Sequence, residues 1–445
     1  MRLPPNHPQR YLLSNEIHAR PPSEISAPER LSYLAIAYPV GAEDPGDANP
    51  PTDAAIDDLA RLCVIWGAQS PPPGVTHFNA EHSGLGLKWE RHTEFITCTF
   101  SRQGAFERPF ESPVIALVNE EWLATLSGTV VAAIHVAVQE NPVFVPALKD
   151  VVREFDDNHL VGATVAGGNA IALTDLMIHA DEFSRMLLMD IKLGKRQAGR
   201  TVQRLLEIET YRIMSLLGLP VARGTAAMLR GAEAELAAIT AQMAQENAPD
   251  STHDEPALLL RLTRLAAGVE SAVATTSFRF GASRAYYDLT KRRIAELREE
   301  RLAGVQTIEE FMDRRLAPAM ATCASAEKRL LDLSERVARA SDLLRTRVDI
   351  EREQQNQMLL ASMNQRARVQ LRLQQTVEGL SIAAITYYVV GLVGYAAKAL
   401  KESGVPLSVE LTTGMSIPFV AVAIWLAARR VRRQVTAETE AGAAW

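Results

Sequence analysis

The C-terminal quarter of the chain, from Pro318 to Arg433, restricts the fold more than any other stretch. Between Pro318 and Gly379 lie 60 residues without glycine or proline, rich in Leu, Ala, Glu, Gln and Arg. These residue types favour helix, so the spacing predicts one long α-helix. Two uncharged runs of 18 residues follow, at 380–397 and 411–428. Since a spanning helix needs about 17–25 apolar residues, the pattern predicts a stalk that ends in two membrane spans.

The charges beside these runs predict their orientation. The link at 398–410 holds two lysines against two glutamates. The second run leads into four arginines, namely Arg429, Arg430, Arg432 and Arg433. Because basic residues stay on the cytoplasmic side, we expect both chain ends in the cytoplasm, a short external loop, and the inner membrane as the location. The first 13 residues lack the apolar stretch of a signal peptide. The alternative is a pair of buried helices in a soluble bundle.

Length and composition limit the rest of the chain. Its 445 residues suffice for two or three domains. Proteins that bind nucleic acids are expected to be basic, so a net charge of −6 argues against a nucleic-acid partner. The three cysteines lie far apart, which suits a reducing cytosol and predicts no metal site. The predicted order is a cytoplasmic α+β domain over 1–190, a helical domain over 194–304, a stalk helix over 305–379, transmembrane helix 1 over 380–397, an external loop over 398–410, transmembrane helix 2 over 411–428 and a basic cytoplasmic tail over 429–445.

Local patterns predict the elements of the first two domains. The α+β domain is expected to hold a mostly antiparallel sheet, with a hairpin turning at Gly167 and Gly168 because glycine supplies the positive φ of a tight turn. Thr307 and Glu310 have the spacing of a capping box that opens a helix. Strands are predicted over 31–37, 85–89, 95–100, 114–118, 130–138, 160–166 and 170–173. Helices are predicted over 54–66, 195–217, 221–246, 256–276 and from about 283.

The stalk carries an apolar seam near its start. Leu330, Leu333, Val337, Ala340 and Leu344 alternate three and four residues apart, as in a coiled coil. A long rod cannot bury such a seam alone. We therefore predict a homo-oligomer formed through the stalk; the alternative is an antiparallel bundle with the helices of 195–302.

Three polar clusters are candidates for chemistry, and each has a simpler interpretation. Glu16 and His18 are adjacent and would suit an acid–base pair, or would anchor a proline-rich segment. The densest histidine group holds His77 and His82, but their spacing of five is not that of a helical zinc pair, and the stretch resembles a loop. Asp175 and His179 follow the Gly-Gly hairpin, where Thr174 and Asp175 would cap a next helix. We therefore predict no catalytic residue, metal site or cofactor.

The two apolar runs contain no ionisable side chain other than tyrosine, which argues against a proton-coupled pump. Hydroxyls could still line a pore, and glycines would permit close helix packing. The candidates for pore lining or helix packing are Thr386, Tyr387, Gly391, Gly394 and Gly414.

Five strings carry a resemblance that extends over nearly the whole chain: NEIHARPP at 15–22, WERHTEFITCTF at 89–100, VAGGNAIALTD at 165–175, RQAGRTVQRLLEIETYR at 196–212 and SIAAITYYVVGLVGYAAKA at 381–399. The chain resembles a bacterial family of membrane-anchored proteins without an assigned activity. Its architecture is also similar to that of the CorA-type magnesium channels, which form pentamers. Those channels carry a Gly-Met-Asn signature at the outer end of the first span. In this chain that end reads Val393-Gly394-Tyr395-Ala396, and the nearest string, Gly414-Met415-Ser416, lies at the start of the second run.

Three functions therefore stay open at this stage. The first is a membrane-anchored, non-enzymatic scaffold or sensor whose cytoplasmic domain binds an unknown protein or small molecule. The alternative is a CorA-like oligomeric ion channel or transporter. The second alternative is a membrane-tethered enzyme that uses the polar clusters of the α+β domain.

Overall fold

A computed structural model describes residues 6–11, 13–14, 22–38, 52–140, 148–245, 255–402 and 408–442. The chain divides into two compact units, Met1–Ser341 and Asp342–Trp445. The predicted fold class is confirmed: a mixed-sheet domain is followed by a mostly helical region, a long helix and a C-terminal apolar helix.

The sheet of the first unit has eight strands in the order β2-β3-β4-β1-β5-β8-β7-β6. Every neighbouring pair is antiparallel except β5 and β8, which run parallel. The strands are β1 Glu29–Ala37, β2 His77–His82, β3 Leu85–Arg91, β4 Phe95–Gln103, β5 Thr129–Glu140, β6 Val161–Val165, β7 Ala170–Thr174 and β8 Ser184–Asp190.

Both faces of the sheet are covered, as the burial along the central strand β1 shows. Tyr33 and Ala35 belong to the apolar core on one face, and Leu34 and Ile36 belong to the core on the other. A strand buried on both sides has a nearly continuous apolar sequence, which explains the run LSYLAIA. The first face packs on α4, Lys195–Leu216. The second face packs on α1 Thr52–Trp66, α2 Glu120–Ala124 and α3 Leu148–Val152.

Long helices follow the sheet. They are α5 Gly218–Gln245, α6 Glu255–Leu297, α7 Ile308–Glu402 and α8 Val409–Gly442. The capping box opens α7: Glu310 N donates to Thr307 Oγ1 at 3.1 Å, and Thr307 N donates to Glu310 Oε2 at 3.3 Å. Ile308, Met312 and Leu316 of α7 are buried in the core between the sheet and α4.

The segment between α6 and α7 is held to the free edge of β6 by backbone hydrogen bonds. Thr164 N donates to Glu300 O at 3.0 Å, Glu300 N donates to Thr164 O at 2.8 Å, and Gly162 N donates to Gln306 O at 2.8 Å. An uncovered edge strand would be open to pairing with another chain. This segment therefore protects the edge and also fixes where α6 ends.

Four local predictions are corrected. The His77–His82 stretch is strand β2 instead of a loop, because it pairs antiparallel with β3. Residues 114–117 form a 3-10 turn instead of a strand. No helix follows Asp175; Met177 N donates to Asp175 Oδ1 at 3.2 Å in a side-chain turn, and the chain then enters β8. The two helices predicted over 256–276 and from 283 are the single helix α6, in which Gly281 causes no break.

The stalk seam is buried within the single chain over its part in the first unit, where Leu330, Leu333 and Val337 are 1–2% exposed. Antiparallel α6 and α7 are linked here by the ion pair of Arg284 with Glu327 at 2.6 Å. The structure thus contains the intrachain bundle named as the alternative. In the second unit, every side chain of α7 from 349 to 377 is exposed.

Candidate functional site

The first polar cluster forms where the loop after α3 meets the loop before β8. His179 is buried there, with its Nδ1 2.7 Å from Asp156 Oδ2 and its Nε2 2.9 Å from Asp175 Oδ2. Asn158 Nδ2 donates to the same oxygen of Asp175 at 2.8 Å. The hydrogen bond from His179 lowers the pKa of the Asp156 carboxyl below its usual value. The structure therefore brings the predicted residues Asp175 and His179 together, with a third partner from far along the sequence.

A second histidine lies next to this cluster, on strand β5. His135 Nδ1 is 2.9 Å from Ser32 Oγ on β1, and its Nε2 is 3.6 Å from Asp181 Oδ2. Since Ile115 N donates to Ser32 Oγ at 3.0 Å, the serine hydroxyl can donate to His135 Nδ1. Burial lowers the pKa of His135 to about 4, so the imidazole is neutral at physiological pH.

A nucleophilic triad would use the residue types found at Ser32, His135 and Asp181. Its serine would have to be accessible to a substrate, and Ser32 is not. Ser32 is completely buried, with 0% of its surface exposed. The ring of Phe183 stacks on His135 at a centroid distance of 3.9 Å and covers it. A nucleophile must reach its substrate and be activated in an open site. In this structure the hydrogen bond of Ser32 with His135 joins β1 to β5, Asp181 lies beyond hydrogen-bond distance of the imidazole, and both Ser32 and His135 are closed to solvent.

A cleft lined by arginines lies on the opposite side of the sheet, between α4 and α6. Its volume is about 530 Å³. Arg200 and Arg204 are one helical turn apart on α4, and Arg292 lies on α6. Arg298 follows α6 directly, in a left-handed backbone conformation with φ 52°. Four arginine residues thus line one space.

Acidic side chains balance only part of this charge. Glu296 is the one carboxylate of the cleft lining; its Oε2 is 3.1 Å from Arg204 Nε, and its Oε1 is 3.1 Å from Arg293 Nη1. Arg200, Arg292 and Arg298 have no side-chain acceptor among the residues that the structure describes. We call Arg200, Arg204, Arg292, Arg298 and Glu296 the arginine cleft.

A smaller cavity of about 50 Å³ lies between α4 and the β3–β4 part of the sheet. Lys88 and Glu90 line it and form an ion pair at 3.1 Å. Thr97 Oγ1 is buried there without a hydrogen-bond partner among the described residues. A water molecule needs roughly 10–15 Å³ of such space, so this cavity suits a few waters.

The other candidates of the first unit are not brought together. His77 and His82 lie five residues apart on β2 and therefore point to opposite faces of the strand. His82 stacks on Trp66 with its Nδ1 3.0 Å from Trp66 O, whereas His77 is exposed. Glu16 and His18 lie outside the described residues. Within the described ranges from residue 6 to residue 442, no group of three His, Cys, Asp or Glu side chains could hold a metal ion.

The second unit contains two candidate membrane-spanning helices, the apolar part of α7 and Val409–Arg430 of α8. Gly394 lets them approach closely, because a Cβ there would lie 3.3 Å from Thr413 Oγ1. Gly391 and Gly414 have open space around them. The Thr386 hydroxyl donates to Ile382 O at 2.7 Å, and Tyr387 is exposed.

The arginines after the second apolar run lie on α8. Arg429 is 5.1 Å from the ring centroid of Trp425, and Arg430 is exposed. Arg432 and Arg433 lie on the same helix, in a part whose side chains fall outside the described set.

Two features of these sites were missed from the sequence. The partner of His179, Asp156, is 23 residues away, and no spacing rule connects them. Arg200 and Arg204 share one helix face at a spacing of four, which is visible in the sequence. Within α4, Arg212 pairs with Glu209, whereas Arg204 pairs with Glu296 and Glu207 pairs with Arg293, both on α6. The arginine cleft arises from tertiary contact between α4 and α6.

Comparison with known proteins gives one match. A family model described as "Protein of unknown function (DUF3422)" covers residues 5–435. No curated protein and no solved structure matches the chain.

Proposed function

Since the chain belongs to this family of unknown function, its own residues must supply the argument, and we propose that it is a membrane-anchored, non-enzymatic sensor. Its two apolar helices insert in the inner membrane as a hairpin, and its N-terminal unit binds a ligand in the cytoplasm. The observation that carries this proposal is helix α7, which has its first turns in the core of the folded unit and its last turns in an apolar segment.

The exposure of the apolar helices supports the membrane part of the proposal. Only 6% of the apolar window of α7 is buried, and none of that of α8. Core helices of a soluble bundle would be mostly buried. Apolar side chains of both helices are exposed, among them Leu392 at 67% and Phe419 at 74%. Lipid acyl chains are the environment that suits such apolar surface.

The polar clusters support the non-enzymatic part. His135 and His179 are buried among protein partners, and Ser32 is inaccessible. By contrast, the arginine cleft is open, and within the described part of the chain Arg200, Arg292 and Arg298 have no side-chain acceptor. This distribution of access favours binding over covalent chemistry in the N-terminal unit.

The anchoring test compares two arginine variants in carbonate-washed membranes. We expect the wild-type protein in the membrane fraction. The double variant Leu392→Arg with Phe419→Arg should leave it, because an arginine at a span centre costs about 2.5–3.5 kcal/mol in insertion. The matched control is Leu359→Arg, on the 62%-exposed side chain of the same helix outside the apolar window. Wild-type protein in the soluble fraction would contradict the anchor.

Orientation is tested with a thiol reagent that cannot cross the membrane. The native cysteines are buried. In intact spheroplasts, Ser403→Cys in the link between the spans should be labelled, and Ala441→Cys near the C-terminus should be labelled only after lysis. The reverse pattern would overturn the proposed orientation.

A second function, ion conduction by an oligomer, is favoured by one observation. Apolar side chains of α7 are exposed before the span begins, among them Leu359, Met363, Leu371 and Leu373 at 55–67%. Copies of the same helix would cover them. Light scattering of the full-length protein in detergent tests this idea: a closed ring of several chains supports a pore, whereas a monomer or dimer has too few spans to enclose one.

A further inference from the structure

We propose that the arginine cleft binds a ligand with two or more phosphoryl groups. This inference deepens the proposed sensor function and rests on it for the role of the ligand. The size of the cleft, about 530 Å³, lies within the roughly 300–1,000 Å³ of small-molecule sites.

The chemistry of the lining selects the ligand class. A guanidinium is planar and always charged, and it presents paired N–H donors that match the oxygens of phosphate or carboxylate. Arg200 and Arg204 approach from α4, while Arg292 and Arg298 approach from α6 and the residue after it. Donors that converge from two elements suit a tetrahedral group with oxygens in several directions better than a planar carboxylate.

The uncompensated charge points the same way. Several arginines elsewhere in the helical layer are paired, such as Arg212 with Glu209, Arg261 with Glu235 and Arg279 with Glu94. Exposed arginines such as Arg223 and Arg264 have no carboxylate partner among the described residues either, so the cleft differs from them in bringing several such arginines to one space. In the cleft, Glu296 already pairs with Arg204 and Arg293, so Arg200, Arg292 and Arg298 have no carboxylate partner among the described residues. Like charges held together repel, and a bound polyanion removes this repulsion.

Stabilisation of helix ends does not account for the arrangement. Cations are favourable near the end of a helix, which would explain Arg292 and Arg298 on α6. However, the first turn of α4 carries Lys195 and Arg196 and no acidic residue of its own, and Arg200 follows in the next turn. Arg196 is paired with Glu24 at 2.9 Å, whereas Lys195 and Arg200 have no carboxylate partner among the described residues. Because a cation in the first turn of a helix opposes the helix dipole, Lys195 is unfavourable there unless a further anion is near.

The geometry of the cleft is fixed before any ligand arrives. The ion pair of Arg204 with Glu296 joins α4 to α6 at 3.1 Å. Ala166 N donates to Leu297 O at 2.9 Å, which holds the end of α6 and the neighbouring Arg298 backbone to the sheet. The lining also contains no aromatic side chain. Recognition therefore rests on phosphoryl groups and not on stacking of a ring.

The test measures binding of sodium tripolyphosphate to full-length protein in phosphatidylcholine nanodiscs by calorimetry. We expect saturable binding at one site per chain, weaker as ionic strength rises. Arg200→Gln and Arg292→Gln should each weaken binding about tenfold or more, because each removes charge-assisted hydrogen bonds. Arg292→Lys keeps the positive charge but lacks the paired N–H donors of a guanidinium, so its affinity should lie between those of wild type and Arg292→Gln. The matched control, Arg264→Gln on an exposed turn of α6 outside the cleft, should bind like wild type.

The arms separate the two sources of phosphoryl groups. Tripolyphosphate binding lost in the cleft variants identifies a soluble ligand. Binding only to nanodiscs that contain cardiolipin, whose headgroup carries two phosphoryl groups, and its loss in the same variants identify a lipid headgroup. No saturable binding of either, equal loss in Arg264→Gln, or tighter binding of citrate than of tripolyphosphate would overturn the proposal. Since nanodisc incorporation is checked beforehand, failure of the anchor and failure of the cleft are distinguishable.

Discussion

Acidification should destabilise the N-terminal unit through His135, since this imidazole is buried and neutral. Burial lowers its pKa from 6.5 to about 4, which is the dominant cause, while Asp181 partly opposes the change. A group whose folded pKa is depressed in this way favours the unfolded chain once it is protonated. The stability is complete above pH 6.5 and is lost as pH falls towards 4. This lowering of the His135 pKa corresponds to about 3 kcal/mol of stability, of which about 2 kcal/mol is lost by pH 5.

The assay is urea unfolding of the full-length protein in detergent at pH 7 and pH 5, followed by tryptophan fluorescence. Trp66, Trp89 and Trp122 are buried against the sheet and report on this unit. The variant His135→Gln cannot titrate, so it should lose about 2 kcal/mol less than wild type between the two pH values. Carboxylates titrate equally in both proteins and cancel in the comparison.

The control for this prediction is His77→Gln, which makes the same change at an exposed position. It should keep the pH dependence of the wild type. If His135→Gln and wild type lose the same free energy of unfolding, then His135 is not held neutral by burial, and the reasoning from its sealed position is refuted.

Three further perturbations test the packing. Gly199→Ala should lower the free energy of unfolding by about 1–3 kcal/mol, because a Cβ there would lie 1.7 Å from Ser23 O. Gly224 has open space around it, so Gly224→Ala should raise the free energy of unfolding by about 0.5–1 kcal/mol. Equal effects of the two substitutions would contradict the close contact at Gly199. Thr307→Ala should cost about 1 kcal/mol, measured by the same urea titration, because it removes the cap of α7. Native protein should not react with a thiol reagent until urea is added, since burial raises the pKa of Cys98 to about 12 and all three cysteines are buried; rapid labelling without urea would show an open core.

Local patterns predicted the elements whose signal lies within a few residues. The hairpin of β6 and β7 was found because Gly167 and Gly168 adopt φ 68° and 83°, as a tight turn requires. The cap of α7 was found because Thr307 and Glu310 have a fixed spacing. Strand β8 was missed, although its core, MLLM at 186–189, is a short apolar run. Thr174 and Asp175 before it resemble a helix cap, but the Thr174 hydroxyl donates to Arg185 O in the sheet.

The sites were less predictable because they depend on contacts between distant segments. Asp175 and His179 could be selected as a polar pair, but not their burial or the contact with Asp156. Arg292 and Arg298 come close to Arg200 and Arg204 only because α6 packs on α4. A candidate membrane span is recognised by its length and apolar composition, so the sequence alone was sufficient to predict the two candidate membrane helices.

The one parallel pair of the sheet, β5 with β8, sets the order in which this fold can assemble. Strands β1 to β5 need only residues up to 140, and β6 to β8 pair among themselves as antiparallel neighbours. The two halves join only when β8 aligns with β5, for example Val136 opposite Met186, across about 50 residues of chain. Such a long closure is slow compared with hairpin formation. During synthesis the first half therefore waits with β5 as an open edge until β8 leaves the ribosome, well before the membrane segments are made.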